Sequence, residues 1–237
     1  MNDFDLKKNI VITGASRGIG LATVKHLLST GHRVFGLSRS KLDPKLRSFS
    51  TEQPGELHWH TTCTDLALVS KAIAGVLPDN EQLDGLIHNA GLLINKPFSE
   101  TSEDDWLMQF EANVFMVFRW TRRLESLMGH GSHIVHISSM GGVQGSSKFP
   151  GLSLYSAAKG AVTIFTESLS TEWVERGIAV NALALGAVKT EMLNEAFPGL
   201  QAPVESKMMG AYIAEFCLKG HRLFNGKILQ VAMQNPA

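Results

Sequence analysis

The 237-residue chain is 44% apolar and 19% charged, and its 22 Lys and Arg balance 22 Asp and Glu. That suits one globular domain with a sizeable core, and zero net charge argues against a nucleic-acid partner or an anionic membrane surface. Cys63 and Cys217 are too far apart for a metal or disulfide framework, no apolar run approaches membrane-spanning length, and the acidic start Met1-Asn2-Asp3 shows no secretory signal, so a cytoplasmic protein is expected.

Residues 9–13 (NIVIT) are a β-branched run without polar alternation, as expected of a parallel strand buried on both faces. The run enters Gly14-Ala15-Ser16-Arg17-Gly18-Ile19-Gly20, after which Leu21, Val24, Leu27 and Leu28 recur at helical spacing. Strand, glycine turn and helix start suit a pyrophosphate, because glycines allow close backbone approach and the helix start offers N–H groups and a positive dipole end. A second strand is expected over 33–37, ending at Ser38-Arg39-Ser40, then a short helix and loop over 42–56. Residues 57–61 suit a third strand with His58 and His60 on one face. With no third ligand nearby, these are edge-strand histidines rather than a metal site. Asp65 suits the N-cap of a helix running through Leu77.

Residues 84–91 (DGLIHNAG) suit a fourth strand and its exit. A long helix follows, opened by Thr101 or Ser102 with Glu103, Asp104 and Asp105 near its positive end. Asn113 lies inside its apolar run, where asparagine competes for backbone hydrogen bonds. Residues 132–139 (SHIVHISS) form a fifth strand ending on two serines, followed by a Gly- and Ser-rich loop. On the next helix Tyr155 and Lys159 lie one turn apart on one face, an arrangement in which the cation is expected to lower the pKa of the phenol. That helix should run through Trp173 and stop at Arg176-Gly177. A sixth strand over 178–183, a lid around 190–206, a helix over 207–218 and a seventh strand over 226–231 complete the chain. Strands alternating with helices specify a single α/β domain over 1–237, a doubly wound Rossmann fold with a seven-stranded parallel sheet.

The spacing Thr13-Gly14-x-x-x-Gly18-Ile19-Gly20 resembles that of the short-chain dehydrogenase/reductase family, and Asn89-Ala90-Gly91, a serine at the end of the fifth strand and Tyr155-x-x-x-Lys159 follow in the family's order. The resemblance covers almost the whole chain. It implies that Tyr155 donates a proton to a carbonyl oxygen as hydride arrives from a nicotinamide. Lys159 would lower the tyrosine's pKa and bond the nicotinamide ribose, Ser139 would orient the carbonyl (Ser138 being the alternative register), and Asn113 would bend its helix and hold a relay water. For the cofactor it implies Gly14, Ser16, Arg17, Gly18, Ile19 and Gly20 in the glycine turn and Asp65 against adenine. Asn89, Ala90 and Gly91 would form the cofactor's floor, with Gly186, Val188 and Thr190 beside the nicotinamide. Three departures stand out: His88 replaces the first Asn of Asn-Asn-Ala-Gly, Leu185 replaces the Pro of Pro-Gly, and the terminus lacks Asp-Gly-Gly.

The end of the second strand, Leu37-Ser38-Arg39, has no acid to hold ribose hydroxyls and repel a 2′-phosphate. Ser38 and Arg39 can instead bind a phosphate, and Arg17 is expected to approach the same spot, so NADP(H) is the expected cofactor. The expected function is NADP-dependent interconversion of a small carbonyl compound and an alcohol. The alternative is a catalytically idle NADP-binding redox sensor on the same fold. Phe115, Val117, Phe118, Trp120, Val162, Ile164 and Phe165 give two helices apolar residues on more than one side, which with the resemblance predicts a homodimer or homotetramer.

Overall fold

The computed structural model describes residues 6–61 and 65–233; Cys63, the acidic start and residues 234–237 lie outside them. The first half runs β1 (Asn9–Thr13), α1 (Gly18–Ser29), β2 (Arg33–Ser38), α2 (Pro44–Thr51), β3 (Glu56–Thr61), α3 (Leu66–Val76) and β4 (Gly85–His88). The second runs α4 (Glu103–Phe110), α5 (Met116–Leu124), β5 (His133–Ser139), α6 (Ser153–Glu172), β6 (Ala179–Leu185), β7 (Val188–Lys189), α7 (Glu191–Ala196), β8 (Val204–Glu205), α8 (Ser206–Lys219) and β9 (Ile228–Val231).

Seven parallel strands make the main sheet in the order β3-β2-β1-β4-β5-β6-β9. β1 is buried along its whole length because both of its faces are covered. Side chains alternate across it: Ile10 and Ile12 join Leu27, Val135, Leu183 and Ile213 under α1 and α8, while Val11 joins Leu86, Trp120, Ile134 and Leu169 under α3, α5 and α6. Burial on both sides explains the run's lack of polar alternation. From β1 the chain winds first toward β3 and then returns to β4 on the other side, so the strand order switches between β1 and β4. The crevice at the carboxyl ends of these strands is where such sheets bind ligands.

Two expectations change in detail. The long helix after β4 is interrupted by a π-helical turn over Glu111–Phe115, which separates α4 from α5 and contains Asn113. The lid is more regular than a loop: α7 leads to β8, which pairs in parallel with β7. Ser102 rather than Thr101 caps α4, in a reciprocal box with Asp105. Among the described residues no helix is long and apolar enough to cross a membrane.

Candidate active site

The glycine turn meets the exit of β4 without room for side chains. A Cβ on Gly20 would lie 2.2 Å from the Gly14 carbonyl oxygen, and one on Gly14 would lie 2.8 Å from Ala90 Cα. Asn89 Nδ2 donates to the carbonyls of Thr13 (3.1 Å) and Gly14 (3.2 Å), and Thr13 Oγ1 accepts from the Asn89 and Ala90 amides at 3.1 and 3.0 Å. The two motifs are therefore one built unit. Arg17 is the N-cap of α1 and makes no side-chain cap, which leaves the helix's first N–H groups and its positive end to the crevice. Ser16 and Ile19 are partly buried in this turn, and Ile19 packs on the core. The cradle fits the diphosphate of a dinucleotide.

At the end of β2, Ser38 is buried and its Oγ accepts from the Ser40 amide at 3.1 Å, while Arg39 is exposed. The expected convergence of Arg17 on this spot is corrected. Its guanidinium reaches α7 instead, with Nη1 3.1 Å from Glu191 and 3.4 Å from Glu195. Opposite charge is the reason: two carboxylates one helical turn apart offer Arg17 partners that Arg39 cannot. Asp65 caps α3, accepting from the Ala67 and Leu68 amides at 2.8 and 3.2 Å.

The proton-handling end is assembled by locking α6 onto β5. Ser138 Oγ donates to the Lys159 carbonyl at 3.1 Å and Lys159 Nζ donates to the Ile137 carbonyl at 2.8 Å. Ser138 is thus spent on packing, and Ser139, whose Oγ accepts from the Gly141 amide at 3.2 Å, is the serine that acts on the Tyr155 hydroxyl. The expected lowering of the tyrosine's pKa is corrected. Burial pushes Tyr155 up to about 12, opposed only by Ser139. Burial also brings Lys159 down to about 8. The ammonium is bound to a carbonyl and lies 5.7 Å from the centre of the Tyr155 ring, so loss of hydration outweighs attraction between the two groups.

Asn113 is buried in the π turn, where its Nδ2 donates to the carbonyls of Leu92 (2.7 Å) and Gln109 (2.8 Å) and its Oδ1 accepts from the Leu92 amide (3.3 Å). A Cβ on Gly91 would meet Asn113 Oδ1 at 2.8 Å and Lys159 Nζ at 3.5 Å, so the β4 exit, the π turn and α6 converge here. Gln109 went unrecognised in the sequence; fully buried, its Oε1 accepts from the Ile94 amide at 3.0 Å. Also unrecognised was a buried pair of imidazoles below the site. His88 and His136 are register partners on β4 and β5 with ring centres 5.1 Å apart. His88 Nε2 bonds Thr121 Oγ1 at 3.0 Å and His136 Nδ1 bonds Thr166 Oγ1 at 2.7 Å. Thr166 gives its own proton to the Val162 carbonyl, so His136 is the donor of that pair. Burial keeps both rings neutral, with His88 lowered to about 3 and His136 well below its ordinary value. Their alternation with Leu86, Ile134 and Ser138 was the available signal; their pairing depends on register.

On the far side, Gly186 donates its amide to the Val231 carbonyl at 3.0 Å, Leu185 is an ordinary buried strand residue paired with Val231, and Val188 is buried. Thr190 caps α7 by accepting from the Leu193 amide at 3.1 Å, and its methyl would lie 3.5 Å from a Cβ on Gly18. His58 and His60 stack on Phe35 at the sheet edge, with ring centres at 5.2 and 6.4 Å. The apolar residues of these two helices do lie on more than one side: Val117, Trp120 and Val162 belong to the interior. Phe115 and Ile164 are exposed, as are Trp106, Leu107 and Met108.

The family model described as short chain dehydrogenase matches residues 8–201. Cyclopentanol dehydrogenase of Comamonas testosteroni is 32% identical over 207 residues, covering 85% of this chain and 80% of that one. Carbonyl reductase (NADPH) 2 of Sus scrofa is 34% identical over 188 residues, covering 77% and 72%. A short-chain dehydrogenase/reductase structure from Serratia marcescens superimposes with a TM-score of 0.83 at 24% identity, covering 95% and 96% of the two chains.

Proposed function

The chain belongs to the short-chain dehydrogenase/reductase family, and we propose that within it the protein is an NADP(H)-dependent oxidoreductase that reduces a small carbonyl compound to an alcohol. The observation that carries the reading is the placing of Ser139, Tyr155 and Lys159 together, with the Lys159 ammonium 5.7 Å from the centre of the Tyr155 ring, in the crevice that the glycine cradle lines from the other side. When bound there, the nicotinamide supplies or accepts the hydride.

The chain's own residues account for the proton. With its pKa pushed up to about 12, Tyr155 is a neutral phenol at pH 7, the form that can give its Oη proton to a carbonyl oxygen. Ser139 Oγ, at the same spot, orients that oxygen and stabilises the charge it gathers. Lys159, titrating near 8, is mostly cationic at neutral pH and steadies the phenolate left behind. Asn113 and Gly91 close the far side of the Lys159 pocket, where a relay to solvent would run.

Preference for NADP(H) rests on the β2 end, where Ser38 and Arg39 stand in place of a carboxylate. That one relative is an NADPH carbonyl reductase points the same way. The substrate class is a small, weakly polar ketone, in keeping with the lid and with a relative named for cyclopentanol. Exposed Phe115 and Ile164 support assembly as a homodimer or homotetramer, and a cytoplasmic setting belongs to the same reading. The test is a panel of ketones, cyclopentanone included, followed by loss of NADPH absorbance with purified protein. Turnover of at least one is expected. Tight NADPH binding with no turnover across the panel would favour the idle sensor instead.

A further inference from the structure

Arg17 sits in the glycine turn, yet its guanidinium is held by Glu191 and Glu195 of α7 at 3.1 and 3.4 Å. Thr190, the cap of α7, also comes against the turn at Gly18, and the helix's other end is tied across the crevice by Asn95 Nδ2, which donates to the Ala196 carbonyl at 2.8 Å. α7 therefore spans the crevice, and one of its two fastenings is an arginine whose chemistry also suits a phosphate. We propose that Glu191 and Glu195 are specificity-determining residues: they compete with the cofactor's 2′-phosphate for Arg17, so that phosphate binding unfastens the amino-terminal end of α7. The proposal rests on the NADP(H) reading given above.

The reasons are electrostatic and geometric. The glutamates use only Nη1, but they hold the whole guanidinium at α7 rather than at the end of β2, so it must leave them to reach a phosphate there, and two carboxylates beside it repel that phosphate. Half of the Arg17 side-chain surface and two thirds of each glutamate's remain exposed, so the clasp is weak enough to exchange. Linkage makes the effect reciprocal: whatever the clasp subtracts from phosphate affinity, bound phosphate subtracts from closure of α7. A ligand with no 2′-phosphate makes no such exchange and leaves the helix fastened.

The experiment uses the full chain, with adenosine 2′,5′-bisphosphate and adenosine 5′-monophosphate as probes, titrated by calorimetry at low salt. The double variant Glu191→Gln, Glu195→Gln should bind the bisphosphate about fivefold tighter and the monophosphate unchanged. The gain should vanish in an Arg17→Gln background, because a general change of surface charge would survive there whereas the clasp cannot. Hydrogen exchange over 191–197 in the unmodified protein should rise with the bisphosphate and not with the monophosphate. If the unmodified protein prefers the bisphosphate while the double variant shows no gain, or the full gain persists without Arg17, the clasp is wrong and the NADP(H) reading stands. If the unmodified protein binds the two probes equally well, the NADP(H) reading falls and the clasp with it.

Discussion

The two ends of the crevice are built on opposite principles. At the end that carries Tyr155, the side chains of Lys159, Ser138, His88 and His136 are held by hydrogen bonds to backbone and hydroxyl groups where β4 and β5 meet α5 and α6. At the phosphate end, Arg17 and Arg39 stand on the surface and Arg17 is held by exposed carboxylates. Desolvation governs the first set and moves its pKa values; screened Coulomb attraction governs the second and leaves it responsive to salt and to competing anions. Groups that must hold one geometry are buried, while groups that must let go of one partner and take another are exposed.

That contrast predicts that the buried groups fail with pH, the His88–His136 pair together with His133 at the opposite end of β5. His88, His133 and His136 are buried and neutral, with His88 lowered to about 3, His133 to about 4 and His136 well below its ordinary value. Below pH 6.5 the unfolded chain binds protons that the folded chain refuses, so stability is present above that pH and lost as pH falls. His88 and His133 together remove about 4 kcal/mol between neutral pH and pH 5, a large share of a domain's whole stability, and His136 acts in the same direction. Urea unfolding across that range checks it, and His88→Asn should reduce the loss by about a third. A flat profile would mean the rings are not buried as a neutral set.

Next in size is the chemistry. Tyr155→Phe removes the donor and almost no volume, and turnover should drop by about 10²–10⁴-fold. NADPH binding, measured by fluorescence quenching, should stay within about twofold. Activity near that of the unmodified protein would place the proton elsewhere.

The phosphate end should respond to charge instead. Arg39→Asp should lower the NADPH-to-NADH ratio of kcat/KM about tenfold or more, because a charge-assisted bond is replaced by repulsion. The preference of the unmodified protein should also weaken as salt rises, while its pH–stability profile should not change in Arg39→Asp.

The smallest effect lies on the alkaline side. Lys159 titrates near 8 when folded and near 10.5 when free, so above pH 8 the unfolded chain holds the extra proton and stability rises. From pH 8 to 9 the rise is about 1 kcal/mol. Above pH 9 the buried Cys217 thiol, and above pH 10 the Tyr155 phenol, keep protons that the unfolded chain releases and oppose it. Subtracting the profile of Lys159→Met isolates the lysine; no difference between the two slopes would show that Lys159 is better hydrated than its surroundings imply.

Much of this was legible before any coordinates. The NIVIT run, the glycine turn and the alternation of strand and helix patterns specify a doubly wound sheet because each is a local consequence of burial, backbone freedom or period. Ser139, Tyr155 and Lys159 were legible as a candidate set because their spacing and their placement at a strand end and near a helix start are linear features. Asp65 was legible as a cap for the same reason. The pairing of His88 with His136 was not, since it depends on which residues of β4 and β5 stand opposite each other. Nor was Gln109, whose role follows from the π turn bringing it to the backbone of Leu92 and Ile94. The apolar residues of α5 and α6 could be recognised as apolar, but which of them face the core depends on how the helices rotate on the sheet.

What the sequence determined by itself was therefore the set of elements, their order and the candidate reacting groups, all of which are written in residue type and spacing. What only the tertiary structure decided was the state of those groups. Tyr155 is raised rather than lowered in pKa because Lys159 turns to the Ile137 carbonyl and the half-buried phenol loses hydration against the fold. Arg17 leaves the β2 end because α7, more than 170 residues away in the chain, sets two carboxylates beside it. Charge and burial are properties of what lies nearby in space, and that is fixed by packing between elements rather than by neighbours in the chain.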